Sequence, residues 1–150
     1  MRRLALIAAV VLFSASFFAQ IKDPVKWNFS AKKIDATTFE VHMTASIEDG
    51  WHIYSQTTPD GGPIPTTIEY TKNPLLTIQG VTKEVGKLEQ KHEPLFGVDV
   101  KQFSDKVVFV QVIKLKGKVK TTLNGFVEFM SCNDHECLPP SKEKFTIAIN

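Results

Sequence analysis

The sequence predicts an all-β fold, an immunoglobulin-like β-sandwich that follows an N-terminal signal peptide. Three observations predict it. Apolar and polar residues alternate along a series of segments after residue 25, which is the period of a half-buried strand. Turn residues separate these segments at short intervals, as in sandwich folds. No stretch after residue 20 has the 3.6-residue period of an amphipathic helix.

The first nineteen residues have the pattern of an export signal. Two arginines at positions 2 and 3 form a basic start, an unbroken apolar run extends to residue 13, and small residues surround a cleavage point. We expect cleavage after Ala19, with cleavage after Ser16 as the alternative. The apolar run is shorter than the ~20 residues that span a bilayer, which disfavours an uncleaved anchor. The sequence therefore predicts a signal peptide over residues 1–19 and export of the mature chain.

The charge balance excludes one class of function. The chain has 18 basic and 16 acidic residues, but both arginines fall in the predicted signal peptide, so the mature chain has as many lysines as acidic residues. Nucleic-acid binding relies on an excess of Arg and Lys to neutralise phosphates, and we exclude it here. Without arginine the mature chain also lacks the best bidentate clamp for phosphate or carboxylate. Residues 20–150 have the length of one domain with its own core, and they contain no repeat or linker.

The first predicted strands are long and regular, and the later ones are shorter. Trp27 and Phe29 alternate with polar residues in the first strand, and five apolar residues share one face of the second. An Asp-Gly pair at residues 49–50 turns the chain into the third. The predicted strands are residues 25–34, 37–47, 51–54, 66–70, 75–78, 81–88, 106–115, 119–129 and 142–149.

Three connections between these strands are distinctive. Residues 56–65 form a loop rich in proline and glycine, and residues 89–98 form a polar loop that is interrupted by Leu95 and Phe96. A Lys-Gly turn at residues 116–117 joins the two strongest strands. The last strand then places three large apolar residues on one face, which completes the predicted sheet.

The segment 129–140 contains the only two cysteines of the chain, Cys132 and Cys137. Asn133 and Asp134 between them favour a turn, because both side chains hydrogen-bond their own backbone. A tight turn would bring the two Cβ atoms within the roughly 3.5–4.5 Å that a disulfide needs. We therefore expect a pair that opens and closes without rearranging the fold.

The spacing of the two cysteines along the chain leaves two interpretations of this pair open. A structural disulfide is the usual role in an exported domain. However, closing a loop of about six residues removes only about 2 kcal/mol of unfolded-state entropy, against nearly 5 for a loop of about a hundred. A redox dithiol instead needs adjacent sulfurs near the surface, on a loop that a partner protein reaches.

Three further residues are candidates for roles at the site. Phe96 is either a packing anchor for its loop or a shield that excludes water and other thiols from a reactive group. Tyr54 either fills the core or lines the site with its hydroxyl. His135 lies between the cysteines, where its protonated form would favour a thiolate while Asp134 and Glu136 would disfavour one.

A metal site is a further hypothesis for the same segment. Cys132, His135 and Cys137 have a spacing that could bind copper or zinc, but three ligands so close together are crowded. The remaining histidines are not evidently placed to complete a tetrahedral set. We therefore interpret His135 as a solvated turn residue and predict neither a metal nor an organic cofactor.

Three motifs resemble those of one known family. They are Asp-Gly-Trp-His-Ile-Tyr at residues 49–54, His-Glu-Pro-Leu-Phe-Gly at residues 92–97, and the cysteine segment at residues 132–140 with its Cys-Leu-Pro-Pro ending. In this order and spacing they resemble the N-terminal periplasmic domain of the thiol:disulfide interchange protein DsbD. The resemblance extends over most of the chain after residue 25.

This resemblance implies an immunoglobulin-like domain with protein-disulfide reductase activity. Such a domain accepts electrons from a thioredoxin-like donor and passes them to disulfide isomerases and cytochrome c maturation proteins. By position, Cys137 corresponds to the cysteine that forms the mixed disulfide and Cys132 to the one that resolves it. Phe96 corresponds to the phenylalanine of the cap loop, which covers the disulfide until a partner displaces it.

The chain departs from the family pattern in two places. The best-known members have one more residue between the cysteines, and they carry two acidic residues where this chain has Pro94 and Leu95. The membrane-spanning and thioredoxin-like parts of the full protein are not in this sequence. We therefore expect either that a separate partner supplies the electrons or that the chain uses the same scaffold for something else.

Overall fold

The computed structural model describes residues 22–150, which form two β-sheets packed face to face. The predicted signal peptide at residues 1–19 lies outside the described residues. None of the described residues forms a helix that could cross a membrane. The strands are β1 (Val25–Lys33), β2 (Thr38–Ile47), β3 (His52–Tyr54), β4 (Thr67–Tyr70), β5 (Leu76–Glu93), β6 (Val98–Leu115), β7 (Thr121–Phe129), β8 (Ser131–Cys132) and β9 (Ser141–Ile149). The all-β sandwich that the sequence predicted is confirmed.

The larger sheet is built around β6, and all its pairings are antiparallel. One edge of β6 pairs with β5, and the other pairs first with β3 and then with β2. The order across the sheet is β1-β2-β6-β3-β8. Asp105 lies between the β3-paired and β2-paired parts of β6 and has a positive φ of 62°. Aspartate tolerates this left-handed conformation better than most residues, so β6 changes partners at a local irregularity.

The smaller sheet has the order β4-β7-β9, and aromatic side chains join it to the larger one. The ring of Trp27 on β1 lies 5.9 Å from that of Phe109 on β6 and 5.3 Å from that of Phe129 on β7. Phe29 is 5.2 Å from Phe145 on β9. Aromatic pairs at these distances add about 0.5–1.5 kcal/mol each beyond the area that they bury. The alternating residues of β1 therefore contact both sheets.

The prediction of a polar loop at residues 89–98 is wrong. β5 continues to Glu93, which pairs with Val98, and only residues 94–97 form the turn of a long hairpin. The predicted strands at residues 75–78 and 81–88 are one strand, with a register shift between Gln79 and Lys83. Much of β5 is exposed at the edge of the sheet, and its backbone pairs with β6 without needing an alternating apolar pattern.

Gly125 on β7 occupies a position where no side chain fits. A Cβ atom there would lie 2.1 Å from the backbone oxygen of Glu69 on β4 and 2.6 Å from Cζ of Phe145 on β9. Both distances are far below van der Waals contact. The ring of Phe145 therefore fills the space that a side chain at residue 125 would occupy.

We expect Gly125→Ala to destabilise the protein by about 1–3 kcal/mol or more, because the added methyl group displaces either the β4 backbone or the Phe145 ring. Urea unfolding measures this as a lower transition midpoint. Asn124→Ala is the matched control on the same strand, where the side chain is exposed, and it should change stability by about 0.5 kcal/mol or less. Equal midpoints for the two variants would contradict the packing described here.

Candidate redox site

Cys132 and Cys137 are joined by a disulfide across a tight hairpin. Their Cα atoms are 4.1 Å apart, and the two residues form an antiparallel bridge. The backbone N–H of Leu138 donates to the carbonyl of Ser131, and that of Asn133 donates to the carbonyl of Glu136, each at 2.9 Å. Hydrogen bonds on both sides of the disulfide therefore hold the hairpin.

The side chain of Asn133 organises the tip of this hairpin. Its Oδ1 accepts hydrogen bonds from the backbone N–H groups of His135 and Glu136, both at 2.9 Å. This is the local hydrogen bonding that favours asparagine in turns. Glu136 also forms an ion pair with Lys22 at the surface. The turn that the sequence predicted at residues 133–134 is therefore fixed by its own side chain.

The two cysteines differ in their access to solvent. Cys132 ends β8 and is completely buried, whereas Cys137 is half-buried. Cys132 belongs to a small apolar cluster with Tyr54 and Val100, and Cys137 packs against this cluster from outside. A molecule that approaches from solvent therefore meets Cys137 first.

The 94–97 loop, which we call the cap loop, begins and ends beside this cluster. Val98, the residue directly after it, packs against the cluster that Tyr54, Val100 and Cys132 form. The backbone N–H of Gly97 donates to the carbonyl of Glu93 at 2.8 Å, and the positive φ of Gly97, 68°, is one that glycine adopts readily. Phe96, at the tip, is 38% exposed, which is high for so large an apolar side chain.

A buried trio of polar side chains lies beneath the cap loop. Tyr54 donates a hydrogen bond from its hydroxyl to Oε2 of Glu93 at 2.9 Å, and Nε2 of His52 lies 3.2 Å from the same oxygen and 3.0 Å from the tyrosine Oη. Glu93 is 4% exposed and Tyr54 is fully buried. Because the carboxylate has hydrogen-bonding partners, its burial is less unfavourable than that of an isolated charge.

Burial shifts the acid–base properties of two of these groups. It lowers the pKa of His52, and the hydrogen bond and charge of Glu93 oppose that shift only in part. It also raises the pKa of Tyr54, with the hydrogen bond to Glu93 acting in the same direction. His52 is therefore neutral at pH 7, and Tyr54 keeps its proton and remains a hydrogen-bond donor.

Of the five residues singled out in the sequence, the structure brings three together and leaves Phe96 and His135 exposed. Tyr54 shares a buried cluster with Cys132, and Cys137 packs against that cluster. His135 is exposed at the hairpin tip, as expected for a solvated turn residue. No three His, Cys, Asp or Glu side chains within residues 22–150 are grouped so that they could hold a metal ion.

Two residues of the site were missed in the sequence. The motifs at residues 49–54 and 92–97 contain His52 and Glu93, but the sequence assigns neither a role at the site and places Glu93 in a predicted polar loop. The spacing of His52 and Tyr54 was an available signal, because residues two apart on a strand share a face. No local spacing links Glu93 to them, since it is 41 residues from His52 along the chain, and only the motif at residues 92–97 marks its segment.

The lowered pKa of His52 predicts a dependence of stability on pH. The usual pKa of histidine is 6.5, so below that pH the unfolded chain binds a proton that the folded protein resists. The free energy of unfolding should therefore decrease as the pH falls below 6.5 towards the lowered pKa. Glu93, Lys91, Asp134 and Tyr54 are the titratable groups that surround the ring.

Urea unfolding between pH 7.5 and 5.5 measures this effect, and His52→Gln is the comparison because it has no group that titrates there. The variant should show a flatter pH dependence than the original protein, whatever its stability at pH 7.5. Parallel curves for the two proteins would contradict the burial of a neutral His52.

The comparisons with known proteins agree with this geometry. The sequence model of the family described as thiol:disulfide interchange protein DsbD, N-terminal, matches residues 19–149. No curated protein sequence is significantly similar to the chain. The N-terminal periplasmic domain of ScsB from Proteus mirabilis is a structural neighbour with a TM-score of 0.59 and 18% identity. The match covers 83% of this chain but only 46% of that one.

Two further neighbours come from Neisseria meningitidis. The reduced DsbD N-terminal domain has a TM-score of 0.54 and 16% identity, with 85% of this chain and 86% of that chain covered. The DsbD N-terminal domain in complex with the PilB N-terminal domain has a TM-score of 0.51 and 15% identity, with 85% and 87% covered. These likenesses show a shared immunoglobulin-like fold. With the family match over residues 19–149, they establish that the chain belongs to the family of DsbD N-terminal domains, which take part in thiol:disulfide exchange.

Proposed function

We propose that the protein is a periplasmic thiol:disulfide exchange protein, of the protein-disulfide reductase type, that relays electrons through Cys132 and Cys137. One observation carries the proposal: the disulfide closes a hairpin that backbone hydrogen bonds and Asn133 already hold. A bond across about six residues adds only about 2 kcal/mol through the unfolded state. Its cleavage should therefore leave the fold in place, as a carrier requires.

The different exposure of the two cysteines supports separate roles. In the reduced protein, the thiolate of the half-buried Cys137 attacks one sulfur of a partner disulfide, and the other partner sulfur leaves as a thiolate. Cys132, buried behind it, then loses its proton and attacks the Cys137 sulfur. The Cys132–Cys137 bond forms and the second partner thiolate leaves, so two electrons have passed to the partner.

The position of the cap loop supports a shielding role for Phe96. The loop lies between β5 and β6, and the residue that follows it packs against the cluster that contains Cys132. An exposed aromatic side chain there is free of the main core and available to cover the sulfurs. In this proposal the ring excludes stray thiols until a partner protein displaces it.

The proposed partners are proteins, one that donates electrons to this chain and others that accept electrons from it. A thioredoxin-like dithiol restores the electrons by the same steps in reverse, and disulfide isomerases and cytochrome c maturation proteins are the proposed acceptors. The structurally similar DsbD N-terminal domain of Neisseria meningitidis forms a complex with the PilB N-terminal domain, which supports a protein partner. The cysteine chemistry itself requires neither a metal nor an organic cofactor.

The reduction potential distinguishes this function from its alternative, a non-catalytic immunoglobulin-like binding module with a structural disulfide. We expect a value within the range of exchange proteins, about −120 to −270 mV, because the pair is local and reachable. Equilibration of the purified protein with glutathione or thioredoxin measures it. A potential below about −300 mV would identify a structural disulfide and reject the carrier.

Trapping tests the separate roles of the two cysteines. Cys132→Ser removes the resolving thiol, so an oxidised thioredoxin-like protein should remain bound through Cys137 as a mixed disulfide. Non-reducing electrophoresis with mass spectrometry detects and maps this adduct. The matched variant Cys137→Ser leaves only the buried sulfur and should form little adduct. More adduct with Cys137→Ser than with Cys132→Ser would reverse the assigned roles.

A further inference from the structure

Glu93 connects two parts of the site that are distant in sequence. Its Oε2 faces β3, where Tyr54 donates to it at 2.9 Å and His52 lies at 3.2 Å. Its Oε1 faces the cap loop, where the backbone N–H of Leu95 donates to it at 3.3 Å. A single carboxylate therefore bridges β3 and the cap loop.

The backbone of Glu93 also shapes the loop. Its carbonyl oxygen accepts hydrogen bonds from the N–H groups of Phe96 at 3.2 Å and Gly97 at 2.8 Å. Pro94 follows it, and a residue before proline is restricted to extended conformations. Glu93 therefore makes hydrogen bonds both within the loop and to β3.

The β3 end of this bridge lies next to the strand that carries Cys132. His52 on β3 pairs with Cys132 on β8, and Tyr54 packs in the same buried cluster as Cys132. The carboxylate of Glu93 thus fixes the cap loop to the strand that also positions the buried cysteine. Buried hydrogen bonds to a carboxylate are stronger than those between neutral groups.

From this arrangement we infer that Glu93 is a positioning residue, held by Tyr54 and His52, that fixes the cap loop beside the cluster containing Cys132 and so keeps it in the shielding position proposed above. The inference rests on the proposed function, because closure matters only if the disulfide exchanges. Opening of a local segment limits access to groups beneath it, so weakening the closed state increases the open population and the rate of attack. Removing a contact made by Glu93 should therefore speed disulfide reduction.

The test measures the second-order rate of disulfide reduction by dithiothreitol, a small thiol that needs no docking surface. Tyr54→Phe removes one hydroxyl and keeps the buried ring, and we expect it to raise the rate about threefold to tenfold. Glu93→Ala removes the whole bridge, and we expect at least the same increase. Because Tyr54→Phe changes a single oxygen atom, it keeps the test valid if Glu93→Ala does not fold.

Two comparisons separate loop positioning from general loosening of the structure. Glu89→Gln removes a carboxylate from the same strand, one that pairs with Lys87 and Lys91, and should leave the rate unchanged. A Phe96→Ala background should already lack the cover and react fast, so Tyr54→Phe should add nothing further there. An unchanged rate in a folded Tyr54→Phe protein would overturn the inference, and so would an equal increase with and without Phe96.

The same variants distinguish this inference from the proposed function. Reduction by thioredoxin tests the exchange activity, whereas reduction by dithiothreitol tests only the cover over the disulfide. If dithiothreitol rates respond as expected but thioredoxin does not react with any form, positioning by Glu93 is supported and the carrier function fails. If thioredoxin reacts but the dithiothreitol rates do not respond to Tyr54→Phe, the carrier stands and Glu93 has no positioning role.

Discussion

The site depends on the pairing of one three-residue strand. β3 pairs with β6 along one edge and with β8 along the other, so His52 lies beside both Ser104 and Cys132. Antiparallel pairing fixes register, and a shift of one residue would move every side chain to the opposite face. The last residue of this strand, Tyr54, also donates a hydrogen bond to Glu93. This short strand therefore sets the position of the buried cysteine and, through a hydrogen bond, of the cap loop.

Much of the fold could be predicted from the sequence because the larger strands alternate cleanly. In β2, residues from Phe39 to Ile47 are buried at every second position, as the pattern indicated. The hairpin of β5 and β6 could not be predicted in the same way. Polar residues such as Gln90 and Lys91 carry no alternating signal on an exposed edge, and their strand is held by backbone pairing with β6. Pairing of this kind depends on a neighbour that the local sequence does not reveal.

The candidate site, like the fold, could be predicted from the sequence only in part. Spacing and turn chemistry predicted that Cys132 and Cys137 are close enough to join, and they are joined. The difference in their burial could not be read from the hairpin itself, because it arises where β8 meets β3. The role of Glu93 could not be predicted from the sequence for a different reason. A glutamate among other charged residues looks solvated, and only the register of β5 against β6 turns it towards His52 and Tyr54.

The hydrogen bonds around Asn133 have a consequence for how a partner distinguishes the two oxidation states. They do not involve the sulfurs, so we expect them to hold the hairpin backbone in the reduced form as well and to give the two forms nearly the same surface shape. A protein that docks on this surface would therefore distinguish poorly between the reduced and the oxidised form. If the chain carries electrons as proposed, docking by shape alone would not select the productive form, and net flow would follow the supply of reduced donor and oxidised acceptor.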